Sequence, residues 1–297
     1  MIGLIDFFVA PWTWGDWMLR GMLTVNLVAI ACAVLGVFLY LRRMSLLADA
    51  LAHVALPGIV AAFLISGSLD APIMLGGAVA VGLLSALSIE TLASRPNIRS
   101  DAAIGIVFTS FFALGVILLS TVVRDAHIDT HCLLFGDVLG ISDRALSLVI
   151  TVVPGVLILV AIFWRWLAAS SFDPGFAASI GIPVVAVNYG LMTAVTVTAV
   201  AGFEAVGAIL VIALIIVPGA TAHLLSDRLW TMMFWAVAHG ILSSWIGMYV
   251  AIAVNTSAAG AIVVVGGVFY LLAFLFAPRH GRLLKLMRER KAERAES

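Results

Sequence analysis

The sequence predicts an all-α polytopic membrane protein with about nine transmembrane helices, its N-terminus outside and its C-terminus cytoplasmic. Three observations predict it. Only 11% of the 297 residues are charged and 63% are hydrophobic, whereas soluble domains carry roughly 25% charge. Apolar stretches recur along the chain at the ~20-residue length that crosses a ~30 Å hydrocarbon core. The cations are distributed unevenly between the two sides that those stretches define.

The elements follow in order. Residues 1–18 hold Trp12, Trp14 and Trp17, an aromatic belt suited to an extracytoplasmic interface. They lack the basic stretch, apolar core and small-residue cleavage site of a signal peptide, so none is expected. Spans are predicted at 19–41, 44–66, 72–93, 102–123, 145–167, 184–203, 204–225, 229–253 and 258–277, the sixth and seventh nearly abutting. A charged tail occupies 278–297. With the N-terminus outside, Arg42, Arg43, Arg95, Arg99, Arg165, Arg228 and seven tail cations are cytoplasmic, thirteen in all. Arg20, Arg124 and Arg144 are the three left outside, and this bias sets the orientation. The net charge of zero gives no basis for nucleic-acid binding. Cys32 and Cys132 stand apart with no C-x-x-C, which argues against a disulfide or a thiolate metal site.

Within this apolar background the stretch "LRRMSLLADALAHVALPG", residues 41–58, places Asp49, His53 and Pro57 at four-residue intervals. At i and i+4 the carboxylate and the imidazole share one helix face. Pro57 lacks the N–H that the His53 carbonyl would otherwise bond. His53 lies nine residues past Met44, about 14 Å along a helix and near mid-membrane. Small neighbours (Ala48, Ala50, Ala52, Ala55) permit close helix approach. Two readings follow: a structural Asp–His pair, or a translocation site. Asp plus His suits Mn²⁺, Fe²⁺ or Zn²⁺ rather than alkali ions or sugars. Two ligands are too few for a metal, so the others must come from another helix, from water or from a second copy of the chain.

Other polar residues carry weaker signals. His239, with Ser243 at i+4, is a mid-span packing hydrogen bonder or a ligand. Glu90 and His223 lie near cytoplasmic ends, where snorkelling accounts for them. Glu204 is interfacial, and Asn26 and Asn188 are interhelical glue. The loop "RDAHIDTHCLLFGD" holds His127, Asp129 and His131 without a helical register and is read as surface or docking. Proline–glycine breaks recur as "LPG" at 56–58, "VPG" at 153–155 and "VPG" at 217–219. Such breaks are tolerated where neighbours re-satisfy the freed backbone, so Pro57 and Pro218 are candidates for shaping a pathway.

The stretch "FDPGFAASIGIPV", residues 172–184, predicts a short capped helix over 174–180 in a cytoplasmic loop. Asp173 suits the N-cap, Pro174 the first helical position and Gly181 the position after the C-cap. The helix is expected to display Phe176, Ala177 and Ile180, either to lipid or to a soluble partner.

Five segments in this order carry a resemblance: "RRMSLLADALAHVALPGIVAAFL", "SDAAIGIVFTSFFALGVILLS", "LLFGDVLGIS", "FDPGFAASIGIPV" and "VGAILVIALIIVPGATAHLLSDRL". The chain resembles, over residues 20–275, the permease subunits of bacterial metal-ion ABC importers of the manganese, zinc or iron(II) type. Ala48 and Ala52 stand where relatives often have Gly and Ser, small-for-small departures. The resemblance implies a permease domain at 19–277 that pairs with a second permease, identical or closely related. It also implies separate ATP-binding subunits inside and a metal-loaded extracytoplasmic binding protein outside. Segment 172–184 matches the coupling helix, and Asp49 and His53 match the intramembrane metal-coordinating pair, which two copies would double to four ligands. No cofactor is bound permanently; the metal is cargo. The chain has no G-x-x-x-x-G-K-[ST] motif and is expected not to be an enzyme itself. The "VPGATAHLLSDRL" ending resembles manganese/iron-type members, so manganese is the expected ion, with zinc and iron(II) behind it. Two other classes are weighed: a proton-coupled secondary transporter, and an intramembrane metalloenzyme, which would need a motif such as H-E-x-x-H.

Overall fold

The computed structural model describes residues 15–67, 71–95, 97–122, 138 and 140–277. These form eleven helices: α1 (Asp16–Leu41), α2 (Leu47–Ser66), α3 (Ala71–Ala93), α4 (Ser100–Val122), α5 (Asp143–Ile162), α6 (Trp164–Phe172), α7 (Pro174–Ser179), α8 (Val184–Val206), α9 (Ala208–Leu225), α10 (Leu229–Val254) and α11 (Ala258–Phe276). No strand occurs among the described residues. Eight helices, all but α2, α6 and α7, are long and apolar enough to cross a membrane; α2 contributes a shorter apolar stretch, His53–Ser66. Trp12, Trp14, the 124–137 loop with His127, Asp129, His131 and Cys132, and the 278–297 tail lie outside the described residues.

Three of the boundary differences from the sequence expectation have a clear local reason. The second span starts at Leu47 rather than 44, because α1 ends in a tight turn. Arg43 adopts the left-handed conformation at φ 58, with Arg43 N–H donating to the Tyr40 carbonyl (3.0 Å) and Met44 N–H to that of Leu39 (2.9 Å). This is the hydrogen-bond pattern of a Schellman C-cap. The fifth span stops at Ile162, not 167: Phe163 leaves helical geometry at ψ 12, and the tryptophan-flanked α6 starts anew. The sixth and seventh spans divide at Gly207, whose φ of 86 with ψ 154 is open only to glycine.

The bundle is built around α1. In its spanning window 72% of residues are buried, and it packs against α5, α8, α9 and α10, with α11 outside α9 and α10. Helices α2, α3 and α4 form a second layer, joined to the first mainly through α8. Small residues set the closest crossings. A Cβ added at Gly36 of α1 would lie 2.0 Å from the Ile215 carbonyl oxygen of α9, and one at Gly58 of α2 would lie 2.4 Å from that of Gly77 in α3. The second and third proline–glycine pairs diverge in use. Gly219 packs on the Gly36 backbone, whereas Gly155 meets nothing within 4 Å.

Polar contacts mark the two ends. Arg20 pairs with Asp143, and Arg144 with Glu204 at 4.0 Å, so the start of α1, the start of α5 and the end of α8 share one end. At the opposite end Asn188 Nδ2 donates to Glu90 Oε1 at 3.0 Å, linking the start of α8 to the end of α3. Asn188 is thus interhelical glue, as read from the sequence, and Glu90 is its acceptor rather than a free snorkelling carboxylate. Asn26 Oδ1 is buried and without a hydrogen bond.

Candidate functional site

Asp49 and His53 sit on the first half of α2, one turn apart. His53 Nδ1 lies 3.0 Å from the Asp49 carbonyl oxygen and 3.7 Å from Asp49 Oδ1. The carbonyl oxygen can only accept, so Nδ1–H donates; in a neutral imidazole that tautomer leaves the lone pair on Nε2. The ring is held edge-on by Phe108 and Phe112 of α4, with centroids at 5.3 and 5.4 Å. Further along the same α4 face, Gly115 receives the Pro57 ring; a Cβ there would lie 2.7 Å from Pro57 Cδ. Residues 108, 112 and 115 thus form one stripe that fixes both the imidazole and the proline.

The pair is not sealed inside its own chain. The Asp49 side chain is 46% exposed and that of His53 33%. No cluster of three or more His, Cys, Asp or Glu able to hold a metal exists among the described residues. Among the described residues the arrangement therefore offers one carboxylate and one ring nitrogen with no cluster to complete a metal site. As a ligand set it is half of what a transition-metal ion needs.

His239 does not join this pair. It is buried in α10, its Nε2–H donating to the Gly266 carbonyl of α11 at 3.1 Å, its ring 5.7 Å from that of Phe269. This is the packing role weighed for it. Its Nδ1 makes no hydrogen bond, and the residue lines a small cavity together with Pro218 and Ser243. Pro218 is buried there, and its glycine partner forms the close α1–α9 crossing.

The segment after α6 folds as its residues dictate. Asp173 Oδ1 accepts from Phe176 N–H at 2.9 Å, and Pro174 occupies the first turn. Gly181 turns the chain at φ 85. Ile182 N–H donates to the Ala177 carbonyl at 3.0 Å and Gly181 N–H to that of Ala178 at 3.1 Å, completing a Schellman cap. The helix ends at Ser179, with Ile180 as its C-cap. Phe176 and Ile180 are displayed, at 58% and 56% exposure. Ala177 is not: it is fully buried, because one turn of helix cannot turn neighbouring positions 176 and 177 to the same side. Sequence reasoning missed Phe108, Phe112 and Gly115, since apolar residues in an apolar span carry no signal until the facing helix is known.

Comparison with known proteins agrees with this architecture. Residues 15–277 match the model of the ABC 3 transport family. The manganese transport system membrane protein MntD of Bacillus subtilis is 42% identical over 274 residues, covering 88% of this chain and 92% of that protein. The zinc transport system membrane protein TroD of Treponema pallidum is 39% identical, covering 88% and 74%. Other relatives are named for iron transport. The solved structure of PsaBC from Streptococcus pneumoniae in complex with Fab superposes with a TM-score of 0.81 at 34% identity, covering 96% of this chain and all of that one. With a family match across every described helix and a relative 42% identical over 92% of its length, this multi-pass membrane protein belongs to the ABC 3 transport family.

Proposed function

We propose that the chain is the membrane permease of an ATP-driven importer of divalent transition-metal ions, with manganese as cargo. The observation that carries the proposal is the partly exposed Asp49–His53 pair, with Nδ1 of His53 turned to the Asp49 carbonyl and no metal-binding cluster of three or more such ligands among the described residues. Asp49 supplies a hard anionic oxygen that offsets the charge of a divalent ion within the membrane. His53 supplies a neutral nitrogen. A second permease supplies the matching pair, giving four ligands at a shared interface. The ion is held only firmly enough to enter, since an ion bound too tightly would not leave. Pro57, braced by Gly115, keeps the His53 carbonyl out of the helical ladder.

Manganese rests on the likeness to MntD. The likeness to TroD keeps zinc as the second reading, and zinc binds such donors more strongly than manganese does. Selectivity then falls to the extracytoplasmic binding protein that delivers the ion. Phe176 and Ile180 form the grip for a separate ATP-binding subunit, with Asp173, Pro174 and Gly181 shaping the helix that carries them and Ala177 anchoring it. The polar end that holds Glu90 and Asn188 faces the cytoplasm, which puts the N-terminus outside and the basic 278–297 tail inside.

The test is uptake of manganese, zinc and iron(II) into vesicles holding the permease, with and without its ATP-binding subunit. Uptake that needs ATP hydrolysis and is lost in Asp49→Asn and His53→Ala supports the proposal. Uptake driven by a proton gradient alone would replace it with a secondary transporter. The preferred ion among the three decides the cargo.

A further inference from the structure

One partly buried cation ties the segment that carries Phe176 to the root of the helix that carries Asp49 and His53. Arg42 is the C-cap of α1, five residues before α2 begins. Its guanidinium makes three hydrogen bonds to two different helices. Nε donates to Ser171 Oγ at 3.0 Å, Nη2 to Ser170 Oγ at 2.8 Å, and Nη1 to Asn188 Oδ1. Asn188 passes the contact on by donating to Glu90 of α3. Ser170 and Ser171 end α6, and Asp173, the N-cap of α7, follows directly. The fork geometry of the guanidinium permits this; a lysine ammonium cannot address three acceptors in one plane.

The location is unusual for a charge. Burial lowers the Arg42 guanidinium to about 10, against the opposing influence of Glu90, so it stays cationic at neutral pH. On its other side the chain is equally fixed. The Schellman turn with Arg43 in the left-handed region sets the angle at which α2 leaves α1. α2 in turn packs on α3, at the Gly58–Gly77 crossing, and α3 ends at the Glu90 that Asn188 holds. The loop of contacts is therefore closed: α7, α6, Arg42, α1–α2 turn, α2, α3, Glu90, Asn188 and back to Arg42.

We infer that Arg42 is the positioning residue that locks the α6–α7 segment to the base of α2, so that a displacement of α7 is delivered to Asp49 and His53 rather than absorbed in the loop. This rests on the proposed function for its consequence, coupling of ATP hydrolysis to metal movement, but not for its geometry. An apolar replacement removes all three bonds and leaves Asn188 Oδ1 without its donor, while Glu90 keeps the hydrogen bond from Asn188; loss of the two serine hydroxyls removes two of the three bonds and leaves the guanidinium on Asn188.

Two measurements test it. Spin labels at Leu46 and Ile180, both exposed, report the distance between the base of α2 and the end of α7 in the isolated permease. A narrow distribution is expected in the native protein, a broad one in Arg42→Met, and an intermediate one in Arg42→Lys and in Ser170→Ala/Ser171→Ala. In proteoliposomes with the ATP-binding subunits and the binding protein, metal moved per ATP hydrolysed should fall roughly tenfold in Arg42→Met, within the ~5–150-fold range of inter-site coupling. Binding of the ATP-binding subunits and basal hydrolysis should persist. A native-width distribution, or native metal-to-ATP stoichiometry, in the variants overturns the inference. If Arg42→Met does not fold, the double serine variant decides by the same criteria. Should the native protein move no metal with ATP, the proposed function fails, and the distance measurement alone decides whether Arg42 is the lock.

Discussion

Alanine at Gly77 should loosen the crossing beneath the Asp49–His53 pair, and alanine at its neighbour Gly76 should not. A Cβ at Gly77 would lie 2.4 Å from the Gly58 carbonyl oxygen and 2.5 Å from Ala62 Cβ, while one at Gly76 meets nothing within 4 Å. Ordinary carbon contacts lie at about 3.5–4.0 Å, so α2 and α3 must separate by about 1 Å to admit the methyl group. Such overpacking costs about 1–3 kcal/mol. Both substitutions gain the same ~0.5–1 kcal/mol from replacing a mid-helix glycine, so the difference between them isolates the clash. Thermal unfolding in detergent, followed by tryptophan fluorescence, reads this difference at about 2–4 °C per kcal/mol. Gly77→Ala should melt lower than Gly76→Ala by several degrees and should lose metal uptake, because α2 carries both proposed ligands. Equal midpoints would show that α2 and α3 do not meet at this crossing, and the placement of the pair would fall with it.

Asp49→Asn and His53→Ala should abolish uptake with expression and ATP-binding-subunit association near native; a double Asp49→Leu/His53→Leu variant that transports at the native rate would make the pair structural. His239→Ala loses a buried hydrogen bond to Gly266 and should cost about 1–2 kcal/mol of stability while leaving uptake largely intact, so equal loss of uptake would put His239 in the pathway. Phe176→Asp and Ile180→Asp should abolish stimulation of ATP hydrolysis with the membrane domain folded, whereas Ala177→Asp, buried, should unfold the α6–α7 segment instead; full stimulation by the first two removes α7 from the interface. A cysteine at Thr256 should react with an impermeant reagent in intact cells and one at Ser94 should not, and the reverse pattern would invert the orientation.

The helices were legible because spanning length and apolarity are properties of each segment alone. Boundaries failed where a local turn overrode the hydropathy window: the Arg43 turn, the Phe163 break and the Gly207 division. The α7 caps were legible to the residue, because Asp, Pro and Gly act through their own backbone. Which face α7 displays was not, and Ala177 turned inward against the rest of the chain. Asp49 and His53 stood out because ionisable groups are rare in a span. Their aromatic brace did not, since Phe108 and Phe112 are two apolar residues among many. Glu90, Asn188 and Arg42 were each read alone, as snorkelling, glue and orientation signal. Only the fold showed that residues 98 and 146 positions apart form one network.

On the proposed function, the placement of the pair gives half a site a use. Around α1, small residues bring backbones into contact and little is left to move. The α2–α3–α4 layer is different: it reaches the rest of the bundle mainly through α8 and through the turn at Arg42 and Arg43. Asp49 and His53 lie on this layer, partly exposed. Four ligands held within one rigid chain would form a closed metal site, tight and slow to release. Two ligands on each of two movable layers form a site whose completeness depends on how the layers stand. A separation of an ångström or two would break metal–ligand distances near 2 Å without unfolding anything. On the proposed function, release needs no chemical change at Asp49 or His53, only a displacement of α2, and the partly buried Arg42 that joins α2's root to the α6–α7 segment is placed to transmit it.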